Sequence, residues 1–274
     1  MNALNPHDHR LGDVLRVQGS LNVDLIMVRR DDFLTCSREE TASQIAKRNT
    51  DQYSYLPLTD KEGHVLGLYY ARRWFTAPAP ETPIGDDFQP LSEQILIGAD
   101  ASIFDFIRQA DTHPINLVVS ESRITGLVSI YDLQKLPVRA SLFALVTSFE
   151  MTMAVVIERL WKTTDEWLAL ISENRREKIR TPLQQAKRDD AYVSDIAFTQ
   201  FADKKTILCK SGIAKDIGHS ETKLKSILDH IEKLRNMLAH ANDYATTEGS
   251  AQAVCETVRD IYDLRRKLLC LVED

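Results

Sequence analysis

Hydrophobic positions change their period once along the chain. In the second half they recur at three- and four-residue steps, the spacing of helices that bury one stripe. Leu224, Ile227, Leu228, Ile231, Leu234, Leu238 and Ala241 predict one such helix within 220–244, and Val254, Val258, Ile261, Leu264, Leu268 and Leu271 predict another over 251–271. Over 140–161 the apolar coverage is broad, running from Leu142 through Phe149 and Val156 to Leu160, which predicts a central or interface helix. Thr163-Thr164-Asp165-Glu166 reads as a capping box that opens a further helix, and Pro182 as the first-turn proline of the next piece. Residues 193–208 predict a short helix and turn in which Lys204 and Lys205 are solvated, and Tyr244, four residues past His240, either reaches the cleft or falls to the core. Several antiparallel helices make a bundle.

Before Pro137 the period is that of strands broken by turns. Ser37-Arg38-Glu39-Glu40 reads as a capping box ahead of a helix with Ala42, Ile45 and Ala46 on its apolar side. Strands follow over 53–58 and 64–70, joined by a turn that ends on Gly63. The same order returns as a strand at 95–97, a helix over 101–110 and strands at 115–119 and 124–130, with Gly67-Leu68 matched by Gly126-Leu127. The proline-rich stretch 76–83 between the two copies reads as a linker. The prediction is therefore α+β, with a tandem of β-α-β-β-α repeats (about 20–75 and 90–139) in a domain over 1–139 and an all-helical domain over 140–274.

Composition narrows the classes. A chain of 274 residues with 43% hydrophobic residues has room for two packed domains. Its four cysteines, Cys36, Cys209, Cys255 and Cys270, form no C-x-x-C pair, so they read as thiols of a reducing compartment, neither a disulfide frame nor a zinc site. His7, Asp8 and His9 could imitate a metal site but read as a frayed terminus, so no metal is expected. With no leader and no 18-residue apolar run, the expectation is a soluble cytoplasmic protein with no membrane contact. Residues 1–140 carry 14 Lys and Arg against 19 Asp and Glu, and residues 141–274 carry 20 against 21, so the balance is −5 and −1. This balance argues against a broad polyanion-binding surface. Any RNA contact has to come from a local cluster such as Arg175, Arg176, Lys178 and Arg180, or Arg265, Arg266 and Lys267.

Candidate chemistry concentrates in Arg235-Asn236-Met237-Leu238-Ala239-His240. At roughly 100° and 1.5 Å per residue, Asn236 and His240 share a face, while Arg235 lies about 140° around and about 7.5 Å back from His240. One Arg and one His on a single helix flank a phosphate without closing on it, and a two-fold copy would complete the set. A histidine exchanges protons near neutral pH and an arginine fork matches the oxygens of a phosphorane, which fits metal-free cleavage of RNA through its own 2′-hydroxyl. The bland alternative is a histidine that only serves a C-terminal carbonyl.

Arg235-Asn236-x-x-x-His240, late in a helical domain, resembles the signature of the HEPN superfamily. That resemblance implies a homodimeric, metal-independent endoribonuclease with Arg235 and His240 catalytic and Asn236 supporting. It further implies an RNA substrate, tRNA or another structured RNA, and a toxin-like role in bacterial stress or antiviral defence with an antitoxin or defence partner. The N-terminal tandem resembles a pair of CBS domains, the adenosyl-nucleotide sensing module. Gly126-Leu127-Val128-Ser129-Ile130-Tyr131-Asp132 is similar to that family's Gly-h-h-Ser/Thr-x-x-Asp ending, which implies that Ser129 contacts phosphate and Asp132 the ribose of an AMP-, ADP- or ATP-like regulatory ligand. The first repeat departs from the pattern, with Tyr70 and Arg73 at the equivalent positions, so one nucleotide per chain is expected, with Arg72 and Arg73 left as a phosphate contact; the alternative is that Ser129 and Asp132 form an ordinary helix cap, both sites are empty and the tandem only dimerises. No cofactor is expected for catalysis. The rival reading is a non-catalytic, nucleotide-responsive dimerisation or partner-binding protein.

Overall fold

The computed structural model describes residues 20–189, 193–240 and 242–272. The expectations for His7, Asp8, His9 and the Val14-Leu15 stretch lie outside them. Two compact units divide the chain, one over Asn22–Lys135 and one taking in the chain from Leu136.

The N-terminal unit holds two four-stranded sheets. Its strands are β1 (Val28–Arg29), β2 (Cys36–Ser37), β3 (Tyr55–Thr59), β4 (Val65–Tyr70), β5 (Gln89–Pro90), β6 (Leu96–Gly98), β7 (Ile115–Ser120) and β8 (Arg123–Ser129), and its helices are α1 (Ala42–Arg48) and α2 (Ile103–Ile107). One sheet has the order β2-β3-β4-β5 and the other β1-β8-β7-β6. Both copies pair strand, crossover helix and strand in parallel, then close with an antiparallel hairpin, and each hairpin slips register once, at Leu58/Thr59 and at Val118/Val119.

The two repeats exchange edge strands. β1, ahead of the β2-α1-β3-β4 unit, lies along β8, and β5, ahead of the β6-α2-β7-β8 unit, lies along β4. The matched glycines sit where the exchanged strands cross. A side chain at Gly126 would stand 2.7 Å from the Val28 carbonyl oxygen, and one at Gly67 would land on the Gln89 carbonyl oxygen. The recurring Gly-Leu is thus a clearance requirement of the exchange. Val65, Leu68, Ile95, Ile115 and Leu117, drawn from both repeats, share one core.

Local expectations shift by a few residues for stated reasons. The first helix is capped by Thr41 with Gln44, not by the Ser37–Glu40 box. Ser37 is drawn into the parallel ladder with Thr59, and the Glu40 carboxylate instead takes the Ser37 amide at 2.8 Å and Arg48 at 2.7 Å. The helix expected over 101–110 shortens to α2, opened by Ser102, whose hydroxyl takes the Phe104 amide. After β4 and β8 the chain forms only 3-10 turns, Ala71–Trp74 and Ile130–Gln134. The 76–83 stretch is docked: Pro80 O accepts from Ser43 N at 3.0 Å, Pro83 bridges Thr41, and Ala79 packs on the core of the first repeat.

The helical unit contains α3 (Leu136–Leu160), α4 (Thr164–Leu168), α5 (Glu173–Arg188), α6 (Phe201–Lys210), α7 (Glu221–Ala239) and α8 (Glu248–Cys270). α3 is central and packs on α6, α7 and α8. Its charges are sparse enough that it is long and apolar enough by composition to cross a membrane, which corrects the reading that no such run exists; 61% of its most apolar window is buried within the fold. That burial is what a core helix of this length requires.

Three further expectations are corrected. α5 runs through Pro182, so the proline does not open a helix; Thr181 Oγ1 donates to Glu177 O at 3.1 Å in the adjoining turn. Glu166 accepts from the Lys162 amide at 3.0 Å, and Thr163 caps α4 without a side-chain bond, so that box does not close. Lys204 and Lys205 are not solvated. Lys204 is buried and donates to Glu150 at 3.0 Å and to the Thr199 carbonyl, while Lys205 bridges Asp229 and Glu232 of α7. Each cation crosslinks two elements of the bundle, a use that an isolated Lys-Lys pair does not advertise.

Candidate functional site

α7 opens on Ser220, whose hydroxyl accepts from the Lys223 amide at 3.1 Å, and buries Leu224, Ile227, Leu228, Ile231, Leu234 and Leu238. Because that stripe faces the bundle, the residues between its members face out. Arg235 is half-buried, Asn236 is exposed, and His240 is the exposed C-terminal cap, its amide bonded to Asn236 O. Arg235 Nη1 donates to Asn236 Oδ1 at 3.3 Å, joining the two adjacent residues of the motif. The His240 imidazole makes no hydrogen bond among the described residues.

The end of α7 is held by a residue that sequence reasoning missed. Arg139, in the first turn of α3, donates from Nη1 to Met237 O and Leu238 O, each at 3.4 Å, and from Nη2 to Asn242 O at 2.8 Å. Its guanidinium also lies 4.9 Å from the centroid of the Tyr244 ring. A cation on the last carbonyls of a helix complements both their lone pairs and the dipole. The role the bland alternative assigned to His240 is therefore filled by Arg139. Tyr244 is 3% exposed, and burial pushes its hydroxyl up to about 12, with the Arg139 charge acting the other way. No sequence signal marks Arg139, which stands almost a hundred residues from its partners.

The basic clusters are largely occupied. Arg175 makes a forked pair with the buried Asp203 at 2.7 and 2.8 Å, Arg176 donates to Ile171 O, and Arg180 meets Asp165 at 3.2 Å. Arg266 and Lys267 both pair with Asp263 at 2.8 Å, and the half-buried Arg265 leaves its Nε without a partner among the described residues. Only Lys178 of the first group makes no pair among the described residues, so neither cluster offers a free cationic strip.

At the end of β8, Ser129 and Asp132 come together as a capping box. Asp132 Oδ2 accepts from Ser129 N at 2.6 Å and from Ser129 Oγ at 3.1 Å, and Oδ1 pairs with Lys135 at 2.8 Å, whose ammonium also donates to the Ile26 carbonyl. Asp132 is 6% exposed, so both carboxylate oxygens are engaged in a mostly buried setting. In the first repeat Arg73 pairs with Asp87 at 2.7 Å and donates to Tyr70 O, which occupies the cation read as a phosphate contact. Asp60, Glu62 and His64 in the β3–β4 turn bring ligand atoms within 4.8 Å of one another, but Asp60 there serves the His64 amide and ring as part of the turn.

No protein-family model and no curated protein matches the sequence. Solved structures of CBS domains are similar to about half of the chain. The CBS domain of a bacterial CNNM/CorC family Mg2+ transporter in complex with ATP matches 48% of this chain and 97% of its own at 16% identity, with a TM-score of 0.38. A CBS-containing hemolysin-like protein of Oenococcus oeni matches 46% and 96% at 15% identity, with a TM-score of 0.35. The CBS domains of a transcriptional regulator of Streptococcus pneumoniae match 42% and 97% at 15% identity, also with a TM-score of 0.35.

Proposed function

We propose that the chain is a homodimeric, metal-independent endoribonuclease whose helical unit cleaves RNA and whose N-terminal tandem senses an adenine nucleotide. The observation that carries this reading is the state of His240. It closes a well-formed helix, stands open to solvent and makes no hydrogen bond among the described residues, while Arg139 serves the carbonyls beside it. An imidazole spared structural work, with a guanidinium five residues back, is available for proton transfer.

In the cleavage step His240 takes the proton of a ribose 2′-hydroxyl as its oxygen attacks the adjoining phosphorus. The 5′-oxygen leaves and takes a proton from the partner subunit's His240, giving a 2′,3′-cyclic phosphate and a 5′-hydroxyl end. Arg235 stabilises the charge on the phosphorane, and Asn236, bonded to Arg235, holds its guanidinium. Substrates of the tRNA type, a defence role and a silencing partner protein follow from the HEPN resemblance and belong to the same proposal.

The test incubates total RNA with the wild type, His240→Ala and Arg235→Ala in chelator, with end-group analysis. Removing the proton-transfer group lowers the rate by about 10³-fold, with cyclic phosphate ends in the wild type alone. A second reading, in which the helical unit only dimerises or docks a partner, is favoured by its balance of −1 over 141–274 and by its paired basic clusters. Wild-type protein that leaves RNA intact with and without adenine nucleotides selects that reading.

For sensing, Ser129 contacts phosphate and Asp132 the ribose hydroxyls. Since Asp132 is paired with Lys135, a ribose takes over an oxygen that Lys135 now holds. Calorimetry with AMP, ADP and ATP separates the cases: Asp132→Ala abolishes binding, and Lys135→Ala, which frees the carboxylate, strengthens it.

A further inference from the structure

The first half of α3 presents two faces. One lies in the bundle, with Val138, Leu142 and Phe149 buried. The other meets solvent: Leu136 is 76% exposed, Phe143 49%, and Ala140 and Thr147 are exposed with them. At about 100° per residue these four side chains fall within about 60° of one another, and at about 1.5 Å per residue they form one stripe roughly 17 Å long. Ala144 and Met151, both half-buried, continue it along the same side. At Ala154 that side passes under the fold, so the open stripe is confined to the first half of the helix.

Large apolar side chains grouped on one open face mark a contact surface, where single ones would not. No charged residue stands between Arg139 and Glu150 in the sequence. The two flanking charges are spent inside the bundle, Arg139 on the end of α7 and Glu150 on Lys204 at 3.0 Å. The stripe also borders the motif. Arg139 donates to Leu238 O and to Asn242 O, carbonyls on either side of His240, so His240 lies beside the first turn of the stripe.

We propose that this stripe is covered by a second copy of the chain, packed antiparallel about a two-fold axis that passes beside Ala140 and Phe143. A two-fold contact sets each residue against itself or its near neighbours, so a stripe carrying charge of one sign would repel its copy, and an uncharged one does not. The side-chain sizes fit their own image as well. Small Ala140 stands between large Leu136 and Phe143, with Ala144 beside it, and the reversed copy lays its Phe143 over those alanines as a knob over a hole. An antiparallel two-fold crossing keeps both α7 ends on the same side of the contact, with the two α3 axes about 8–10 Å apart. His240 of each copy, with Arg235 behind it, then borders one groove. This contact rests on the homodimer of the nuclease reading and assigns the face that brings in the partner subunit's His240. A lipid surface is the poorer occupant, because no lysine or arginine lies on the stripe to meet anionic headgroups.

The experiment follows the mass of the full chain by sedimentation velocity over a concentration series, for the wild type and for Phe143→Glu. The wild type is expected to dimerise. The variant sets two carboxylates across the axis at a position open to solvent in the single chain, so it keeps its circular dichroism spectrum and needs at least about tenfold more protein to dimerise. A second measurement works by gain of a link: with the exposed Cys270 removed by Cys270→Ser, oxidation joins two copies of Ala140→Cys through a disulfide and leaves Lys225→Cys, exposed near the other end of α7, unjoined. A wild type that stays monomeric throughout the series overturns the contact, and flotation of that monomer with vesicles of phosphatidylglycerol and phosphatidylethanolamine assigns the stripe to lipid instead. A dimer indifferent to Phe143→Glu, with Ala140→Cys left unjoined, overturns it too. A dimer through this face that leaves RNA intact upholds the contact and overturns the nuclease reading alone; RNA cleavage by a dimer that ignores both variants does the reverse.

Discussion

Replacing Arg139 by methionine keeps an aliphatic stem against the bundle and removes the guanidinium that gathers the end of α7. Of its three hydrogen bonds, the one to Asn242 O at 2.8 Å is strong, and the two at 3.4 Å are long and weak. A hydrogen bond involving a charged group is worth about 1.5–3 kcal/mol. The contact with Tyr244 at 4.9 Å adds about 0.5–1 kcal/mol. Arg139 is half-buried and the Asn242 carbonyl lies in an exposed residue, so solvent screening lowers the sum to about 2 kcal/mol. For a unit of this size that loss lowers the melting temperature by about 4–8 °C. Urea unfolding gives the stability, and native-state hydrogen exchange shows where it is lost. The His240 and Asn242 amides, bonded to Asn236 O and Met237 O, should lose protection ahead of the helix centre at Ile231. Unchanged stability together with unchanged exchange at those two amides refutes the claim that Arg139 anchors the motif. If the motif is catalytic, the variant also loses kcat while RNA binding is retained, because His240 is then present but poorly placed.

Three other outcomes follow from the geometry. Gly126→Ala should destabilise the N-terminal unit by about 1–3 kcal/mol, because the new methyl meets a backbone oxygen of the exchanged strand at 2.7 Å, and Gly67→Ala should cost more; thermal unfolding of the two variants ranks them. The Tyr244 hydroxyl is raised by burial from 10.0 to about 12, so between those values the unfolded chain gives up this proton first and stability falls as pH rises. Denaturant midpoints at pH 9 and 11 should therefore drop less in Tyr244→Phe than in the wild type, and equal drops would exclude the group. Cys36, 2% exposed and with its thiol raised by burial to about 12, should resist iodoacetamide at pH 8 while the exposed Cys270 reacts, as mass spectrometry of the modified peptides will show.

Some of this architecture is written locally. Alternating apolar residues and the returning Gly-Leu mark a duplicated strand-rich half, and the stripe from Leu224 to Leu238 marks α7 with its outward face, since such periods depend only on neighbours within a turn or a pleat. Even so, cap positions moved. Ser37 carries the chemistry of a helix start, but its strand pairing with Thr59, more than twenty residues away, outweighs it. Pro182 carries the chemistry of a first turn and sits inside α5.

Other features arise only when distant segments meet. The exchange of β1 and β5 between the repeats gives both glycines their reason, and neither partner strand is longer than two residues, too short to leave a periodic signature. Arg139 on the end of α7, Lys204 on Glu150, Arg175 on Asp203 and the Trp74–Tyr69 bond are set by packing. A charge or a hydroxyl in a sequence states what it can donate or accept, and the tertiary structure decides which partner stands within three ångströms. The motif Arg235-Asn236-x-x-x-His240 shows both halves of that division: its spacing fixes which face the residues share, and the bundle around α7 decides that this face meets solvent with the imidazole unspent.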